Sequence, residues 1–490
     1  MAEKRFLDSF QCRMAGLTQW QVLSSLLSLR WRRGVFSALG LACLCLTLLP
    51  EPLAASERRF PVYASIQPNV AFWEDIYSRY TTRQAVLHDS VDLSRVYTVV
   101  ELVDRHLPLA QRINKLRTTQ AKDRLTGFFD ALAAGTAPRT QEERRIAQMF
   151  AGQPKSAYRK AKDNLRVQLG QKDRFYEGVI RSGKYMPYIR SVLAAENLPL
   201  ELAYLPHVES SFHPGAGSKA GAYGLWQFTR STGKEYMVVN SLVDERFDPY
   251  ISTRAAARLL KKNYEVLGSW PLAMTAYNYG RAGMVRAQRA HGTYEAIFQD
   301  YDQGYFKFAS RNFYSEFLAA MRVAKRMETK GLPLDAPDAT RTYRLQNETA
   351  ATALQAKHQL EKAEFIRLNP ALQTPVLTGK RKVPANYLVR VPTLNNLQQQ
   401  AKKAGPAQTA TRSVAAAPPP RYTSSSVRPS SKKTDISRYY HYTVEKGDTL
   451  AGIAYRFGSS KEAILMANNK GPHNPVRVGD KLVVPVKKKQ

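Results

Sequence analysis

Cysteine is nearly absent from this chain. The 490 residues include 3, at Cys12, Cys43 and Cys45, all in the first tenth. The sequence after residue 45 therefore has no disulfide and no thiolate-ligated metal, and it tolerates an oxidising compartment. Acidic residues are scarce as well: 40 Asp+Glu stand against 73 Lys+Arg, for a formal net charge of +33. Such an excess implies an anionic partner: nucleic acid, a membrane face or an acidic polymer. No RNP signature, zinc-finger spacing or P-loop is present, which argues against nucleic acid. Beyond the first 55 residues no run is long and apolar enough to cross a bilayer. The rest is ordinary for a folded protein, with 44% apolar and 23% charged residues over a length that holds several domains.

The beginning of the chain reads as an export signal. Arg30, Arg32 and Arg33 precede the apolar run "GVFSALGLACLCLTLLP", and the small residues of "LAAS" follow. Cleavage is expected after Ala55, so 1–55 is a signal peptide or, if uncleaved, an N-terminal anchor. Residues 56–183 read as a helical N-terminal region with basic amphipathic stretches and no nameable chemistry. Residues 184–331 are rich in aromatics, Gly and Ala and carry the motifs. A smaller unit spans 342–392. Residues 398–438, rich in Ala, Pro, Ser and Lys, cannot build a core and read as a disordered linker. A compact unit follows at 440–486. The two small units share a pattern, each reaching an Asn (Asn369, Asn468) and closing on "LVRVP" or "LVVP", which is an internal repeat.

The stretch "LPHVESSF" places an acid where a buried helix is expected. With Asn197 as cap and Pro199 in the first turn, a helix puts Leu198, Leu202, Leu205 and Glu209 on one stripe at about 100° per residue. Pro206 then marks a bend or an end. A carboxyl against an apolar wall holds its proton more tightly, as a general acid near neutral pH must. The alternative is a carboxylate at a frayed helix end, facing solvent or an Arg. "GAYGLWQFTRSTG" follows, where Gly224 and its neighbouring glycines allow close backbone approach and Trp226 beside Gln227 suits a sugar cleft. The other reading is a surface loop with one core Trp. Farther on, "SWPLAMTAYNYG" reads as a helix from Pro271 to near Gly280, with Leu272 and Ala276 inward and Tyr277 and Asn278 at its far end.

In this order and spacing, "LPHVESSF", "GAYGLWQFTRSTG" and "TAYNYG" resemble the lytic murein transglycosylases with a soluble-lysozyme-like domain, most closely their membrane-bound type D branch. The resemblance implies that Glu209 is the single catalytic acid and base, while Ser218, Gly224, Trp226, Gln227, Tyr277 and Asn278 orient it and bind substrate. Two places depart from the pattern. Ala309 and Phe313 stand where the family has Glu and Tyr, and Tyr314 is displaced by one residue, about 100° around a helix. "YTVEKGDTLAGIAYRFG" and the chain after it, through 485, resemble a LysM domain. That implies a βααβ fold and a glycan groove between Gly447, Asp448, Thr449, Leu450 and Asn474, Pro475, Val476, Arg477. Residues 342–392 resemble a degenerate LysM unit without the "KGDTL" loop.

The implied fold is a mainly α, lysozyme-like catalytic domain behind a helical N-terminal extension, with small α+β (βααβ) LysM units at the C-terminus. The implied activity is cleavage of peptidoglycan glycan strands in the periplasm or cell envelope, with no cofactor, metal or nucleic acid. Two other readings stand beside it. One is a hydrolytic muramidase using Asp244, Glu245 or Asp248 as a second carboxylate. The other is a non-catalytic wall-binding protein.

Overall fold

The computed structural model describes residues 58–105, 107, 109–393, 436–445, 448–457, 459–468 and 476–487. The export segment, most of the 398–438 linker, Gly447, Asn474 and Pro475 lie outside the described residues.

Helix α1 (Gln67–Ser78) carries Pro68 in its first turn, where a missing N–H breaks no hydrogen bond. The strands β1 (Gln84–Asp89) and β2 (Val96–Glu101) follow, then α2 (Ala110–Ala134), α3 (Gln141–Gln148), α4 (Ser156–Asp163) and β3 (Leu165–Leu169). The three strands form an antiparallel sheet in the order β2-β1-β3, with Val86 opposite both Val99 and Gln168. This corrects the expectation that 56–183 is helical throughout. "QAVLHD", "VYTVVE" and "LRVQL" are short, the second is rich in β-branched residues, and the first, central in the sheet, is buried along nearly its whole length. Helices α2 to α4 cover the sheet through Leu87, Tyr97, Leu125, Phe129, Ile146 and Phe150.

The next stretch is helical: α5 (Lys172–Ser182), α6 (Met186–Ala195), a 3-10 turn at Leu200–Tyr204, α7 (Leu205–Ser210), α8 (Arg230–Tyr236), α9 (Pro249–Leu267), α10 (Trp270–Tyr279), α11 (Arg281–His291), α12 (Tyr294–Asp300) and α13 (Phe308–Thr329). Helix α13 is central and packs on α1, α7 and α10. One apolar core joins Phe60, Val70, Trp73 and Ile76 to Leu205, Leu225, Met274 and Phe317. The division expected between 183 and 184 therefore cuts through a shared interior.

Two small units complete the chain. In the first, β4 (Thr340–Arg344) and β5 (Leu388–Pro392) pair antiparallel around α14 (Ala351–Lys357), α15 (Lys362–Leu368) and α16 (Thr374–Leu377). Its core takes in Val243, and Asp244 N donates to Ala371 O at 2.8 Å, so the unit is built onto the catalytic segment. In the second, β6 (Ile436–Thr443) and β7 (Lys481–Lys487) pair around α17 (Leu450–Arg456) and α18 (Lys461–Ala467). Strand β6 starts at Ile436, inside the span expected to be linker.

The repeat is borne out at atomic level. Asn369 exchanges two hydrogen bonds with the backbone of Arg390 (3.0 and 2.9 Å) and donates to Phe365 O four residues back. Asn468 does the same with Val483 (2.6 and 2.7 Å) and Ile464 O. In both units the side chain ties a helix end to the closing strand. Helix α17 sits on α5: Arg456 Nη2 donates to Glu177 Oε1 at 2.7 Å, and a Cβ at Gly452 would fall 2.6 Å from Glu177 Cγ.

Candidate active site

The expected single helix through Glu209 is two elements. Asn197 adopts a left-handed conformation (φ 55°), which Asn tolerates better than most residues, and it does not cap a helix. The 3-10 turn Leu200–Tyr204 follows, and Pro206 lies in the first turn of α7 rather than breaking a longer helix. Leu202 and Leu205 are fully buried, as the stripe requires, and Glu209 lies half-buried near the end of α7. No donor among the described residues bonds its carboxyl. Burial first, and the charge of Glu316 second, push it up to about 8. The sequence-based expectation of a proton-holding acid is thus met.

Helix α7 ends abruptly. Ser211 and Phe212 both take positive φ (48° and 56°), a conformation costly for residues with a side chain. The fold holds them there. Phe212 is fully buried, Arg181 Nη2 donates to Ser211 O at 2.9 Å, and Gly178 comes so close that a Cβ would lie 2.9 Å from that carbonyl. His207 is clamped among Phe175, Tyr204 and Phe212, with both ring nitrogens unpartnered. Burial pushes it down to about 3, so it is neutral and brings no charge to Glu209.

The glycine-rich loop is tied to α7 and α10 by two hydrogen bonds. Ser210 Oγ donates to Leu225 O at 2.7 Å, and Tyr277 Oη donates to Trp226 O at 2.8 Å. Tyr277 is also close enough to Glu209 for the carboxylate charge to oppose its ionisation. Gln227 is half-buried at φ 48°, its amide nitrogen bonded to Gly224 O (2.9 Å) and Ala216 O (3.2 Å). The loop that carries Gln227 is thereby fixed against the helices that carry Glu209 and Tyr277.

The remaining predicted site residues are held by other contacts. Trp226 is a correction: its indole is fully buried and donates to Thr253 Oγ1 at 2.9 Å, so it is core and only its backbone serves the site. Gly224 is needed for packing, since at φ 83° a Cβ would stand 1.8 Å from Arg246 O. Ser218 is exposed and accepts from Ala222 N, closing its own turn. Asn278 is exposed, and its Oδ1 accepts from Ser310 Oγ at 2.7 Å. Tyr314 does not stand in for the family's tyrosine, because it is fully buried with its hydroxyl on Pro61 O.

The three acids considered as a second carboxylate are all committed to structure. Asp244 pairs with Arg246 (2.9 and 2.7 Å), Glu245 accepts from Val238 N, and Asp248 caps α9 through Tyr250 N and Ile251 N. The acid that does approach Glu209 is Glu316, which sequence reasoning missed. It accepts from Tyr77 Oη at 2.7 Å, and burial pushes it up to about 7. Its signal was the one that flagged Glu209, an acid within a buried stripe (Phe313, Phe317, Ala320).

In the LysM unit, Asp448 accepts from Glu445 N and Arg456 Nη2 (2.8 and 3.0 Å) and from Tyr442 Oη. Thr449 caps α17 through Gly452 N, Arg477 N donates to Asp480, and Leu450 and Val476 pack on the unit's core. The residues predicted to line a groove thus hold the unit together.

The fold is a mainly helical, lysozyme-like domain with small α+β units at its C-terminus. Residues 188–298 match the Transglycosylase SLT domain and residues 442–485 the LysM domain. Over 131 residues the chain is 35% identical to Membrane-bound lytic murein transglycosylase D of Escherichia coli (strain K12), covering 26% of this chain and 29% of that protein. Over 111 residues it is 37% identical to an Alteromonas sp. (strain M-1) protein named for tributyltin chloride resistance, covering 22% and 53%. The chain thus spans less than a third of the length of the type D relative. Among the described residues no helix is long and apolar enough to cross a membrane, and no cluster of His, Cys, Asp or Glu is arranged to hold a metal.

Proposed function

We propose that the protein is an exported lytic transglycosylase that cleaves the β-1,4 bond between N-acetylmuramic acid and N-acetylglucosamine and remodels the cell wall. The observation that carries this reading is Glu209, a half-buried carboxyl kept protonated near neutrality within a domain of the transglycosylase class. Glu209 gives its proton to the glycosidic oxygen as the bond to the muramic C1 breaks. The muramyl N-acetyl oxygen supports C1 meanwhile. Glu209, now a carboxylate, takes the proton of the C6 hydroxyl, and O6 closes on C1 as a 1,6-anhydro ring. The acid ends reprotonated, and no water is consumed. Gln227, Tyr277, Asn278 and Ser218 shape the cleft around it, and the LysM unit holds the enzyme on its glycan. The basic surface suits the acidic stem peptides of such a wall.

The test is digestion of purified peptidoglycan in heavy-oxygen water. The expected products end in 1,6-anhydromuramic acid without label. Label at the muramic C1 would make the enzyme a hydrolase, and no cleavage at all would leave a wall-binding protein.

A further inference from the structure

The reaction proposed above uses one carboxyl, yet the structure builds two. Helix α13 packs against α7 and against α1, which brings Glu316 onto Tyr77 and within range of the charge of Glu209. Tyr77 donates its hydroxyl to Glu316 Oε1 at 2.7 Å, and the same hydroxyl feels the charge of Glu209. The two partners lie 239 residues apart in sequence, so this bond exists only in the assembled core.

No cation among the described residues bonds either acid. The charged and titratable groups on the surrounding elements are occupied elsewhere or neutral. On α1, Glu74 pairs with Arg322 and Arg326 of α13 (3.4 and 2.7 Å). On α5, Arg181 pairs with Glu177 (3.7 Å) and holds Ser211 O. In the 3-10 turn, Tyr204 donates to Glu328. On α7, His207 is neutral, and on α10 the Tyr277 hydroxyl is on Trp226 O. Two carboxyls near one another in an apolar wall, with no cation between them, cannot both ionise near neutral pH. The donor from Tyr77 decides which one does. Glu316 has a hydrogen bond that favours its charged form and gives up its proton first, while Glu209 has none and keeps its own.

We propose that Glu316 is a positioning residue for this reaction: anchored by Tyr77, its carboxylate faces Glu209 and holds that residue in the acid form. The inference rests on Glu209 being the proton donor. The directions agree, since burial raises both acids and the Glu316 charge is the second cause of the rise at Glu209. The pair titrates as a unit.

The experiment is the pH profile of kcat/KM on a soluble glycan, using the full chain. Glu316→Gln removes the charge and keeps an acceptor for Tyr77. Its alkaline limb should move to lower pH by about one unit or more, while the rate at pH 5–6 stays within about tenfold of wild type. Glu316→Asp, which keeps the charge, should keep the limb. An unmoved limb in Glu316→Gln would reduce Glu316 to a structural residue. Loss of activity at every pH, with native melting, would make it a direct catalytic base; either result overturns the proposal. If Glu316→Gln fails to melt cooperatively, Glu316→Ala removes the charge without burying an amide, at the cost of leaving the Tyr77 hydroxyl unpaired, and reads the same limb. Failure of the underlying reading looks different, because Glu209→Gln would then remain active.

Discussion

Replacing Glu209 by Gln should abolish turnover and, above neutral pH, stabilise the fold. Burial and the neighbouring Glu316 raise this carboxyl from 4.5 to about 8. A raised acid binds its proton more tightly in the folded state than in the unfolded chain. Its stabilising contribution is therefore complete below about pH 4.5 and is lost as the pH rises to about 8. At about 1.4 kcal/mol per unit the full loss approaches 5 kcal/mol, and partial solvent access at the cleft reduces this to roughly 2–3 kcal/mol. Glutamine does not titrate, so the variant avoids that loss. Calorimetry across pH is the assay. The difference in Tm between variant and wild type should grow by roughly 4–12 °C from pH 5 to pH 9, at about 2–4 °C per kcal/mol. Any fixed cost of burying the amide appears at both ends and cancels. A pH-independent difference would refute the argument that Glu209 is charged against its environment. On the activity side, proton donation contributes roughly 10²–10⁴-fold, so a variant that keeps more than about a tenth of wild-type turnover would show that Glu209 is not the catalyst.

Two further substitutions test how the site and the module are held. Gly224→Ala combines a φ of 83° with a Cβ 1.8 Å from Arg246 O, so it should destabilise the catalytic core by about 3 kcal/mol or more; an unchanged denaturation midpoint would contradict that close approach. Gly452→Leu should lift α17 from α5 and break the Arg456–Glu177 bond, a charge-assisted contact worth about 1.5–3 kcal/mol. Amide exchange across 172–182 should then accelerate roughly tenfold or more while the LysM core stays protected, and unchanged exchange would mean that the two surfaces do not support each other.

Glu209 was legible in the sequence because its cue is local: an acid one turn beyond Leu205 on a buried stripe needs only the helical period to be seen. The turn chemistry around it was less so. The same residues were read as one helix, since the step from 3-10 to α geometry at Pro206 depends on the packing of Leu202 and Leu205 rather than on propensity. Trp226 was drawn into the cleft by its neighbour Gln227, but adjacent residues in a tight loop point apart, and the indole found Thr253 inside the core. The sheet in 56–183 was missed because strands of five or six residues between longer amphipathic helices give a weak period-2 signal. Glu316 carried the same local cue as Glu209, but its meaning depends on Tyr77, which only the fold brings near.

That dependence changes how the N-terminal region should be regarded. Helix α1 is not an extension laid over a finished catalytic domain. Val70, Trp73 and Ile76 fill the interior against which α13 packs, Asn69 donates to Asn312 at 2.7 Å, and Pro61 O receives the Tyr314 hydroxyl. A chain beginning at residue 184 would expose that apolar face and leave Asn312 and Tyr314 without these partners, at about 1–3 kcal/mol for each buried polar group left unpaired. It would also remove the one hydroxyl that favours the charged form of Glu316. The match to the transglycosylase domain covers 188–298, which includes Glu209 but neither Tyr77 nor Glu316. The carboxyl pair and its tyrosine are thus assembled from three parts of the chain, only one of which lies within the matched domain, and the charge that adds to the effect of burial on Glu209 comes from outside it.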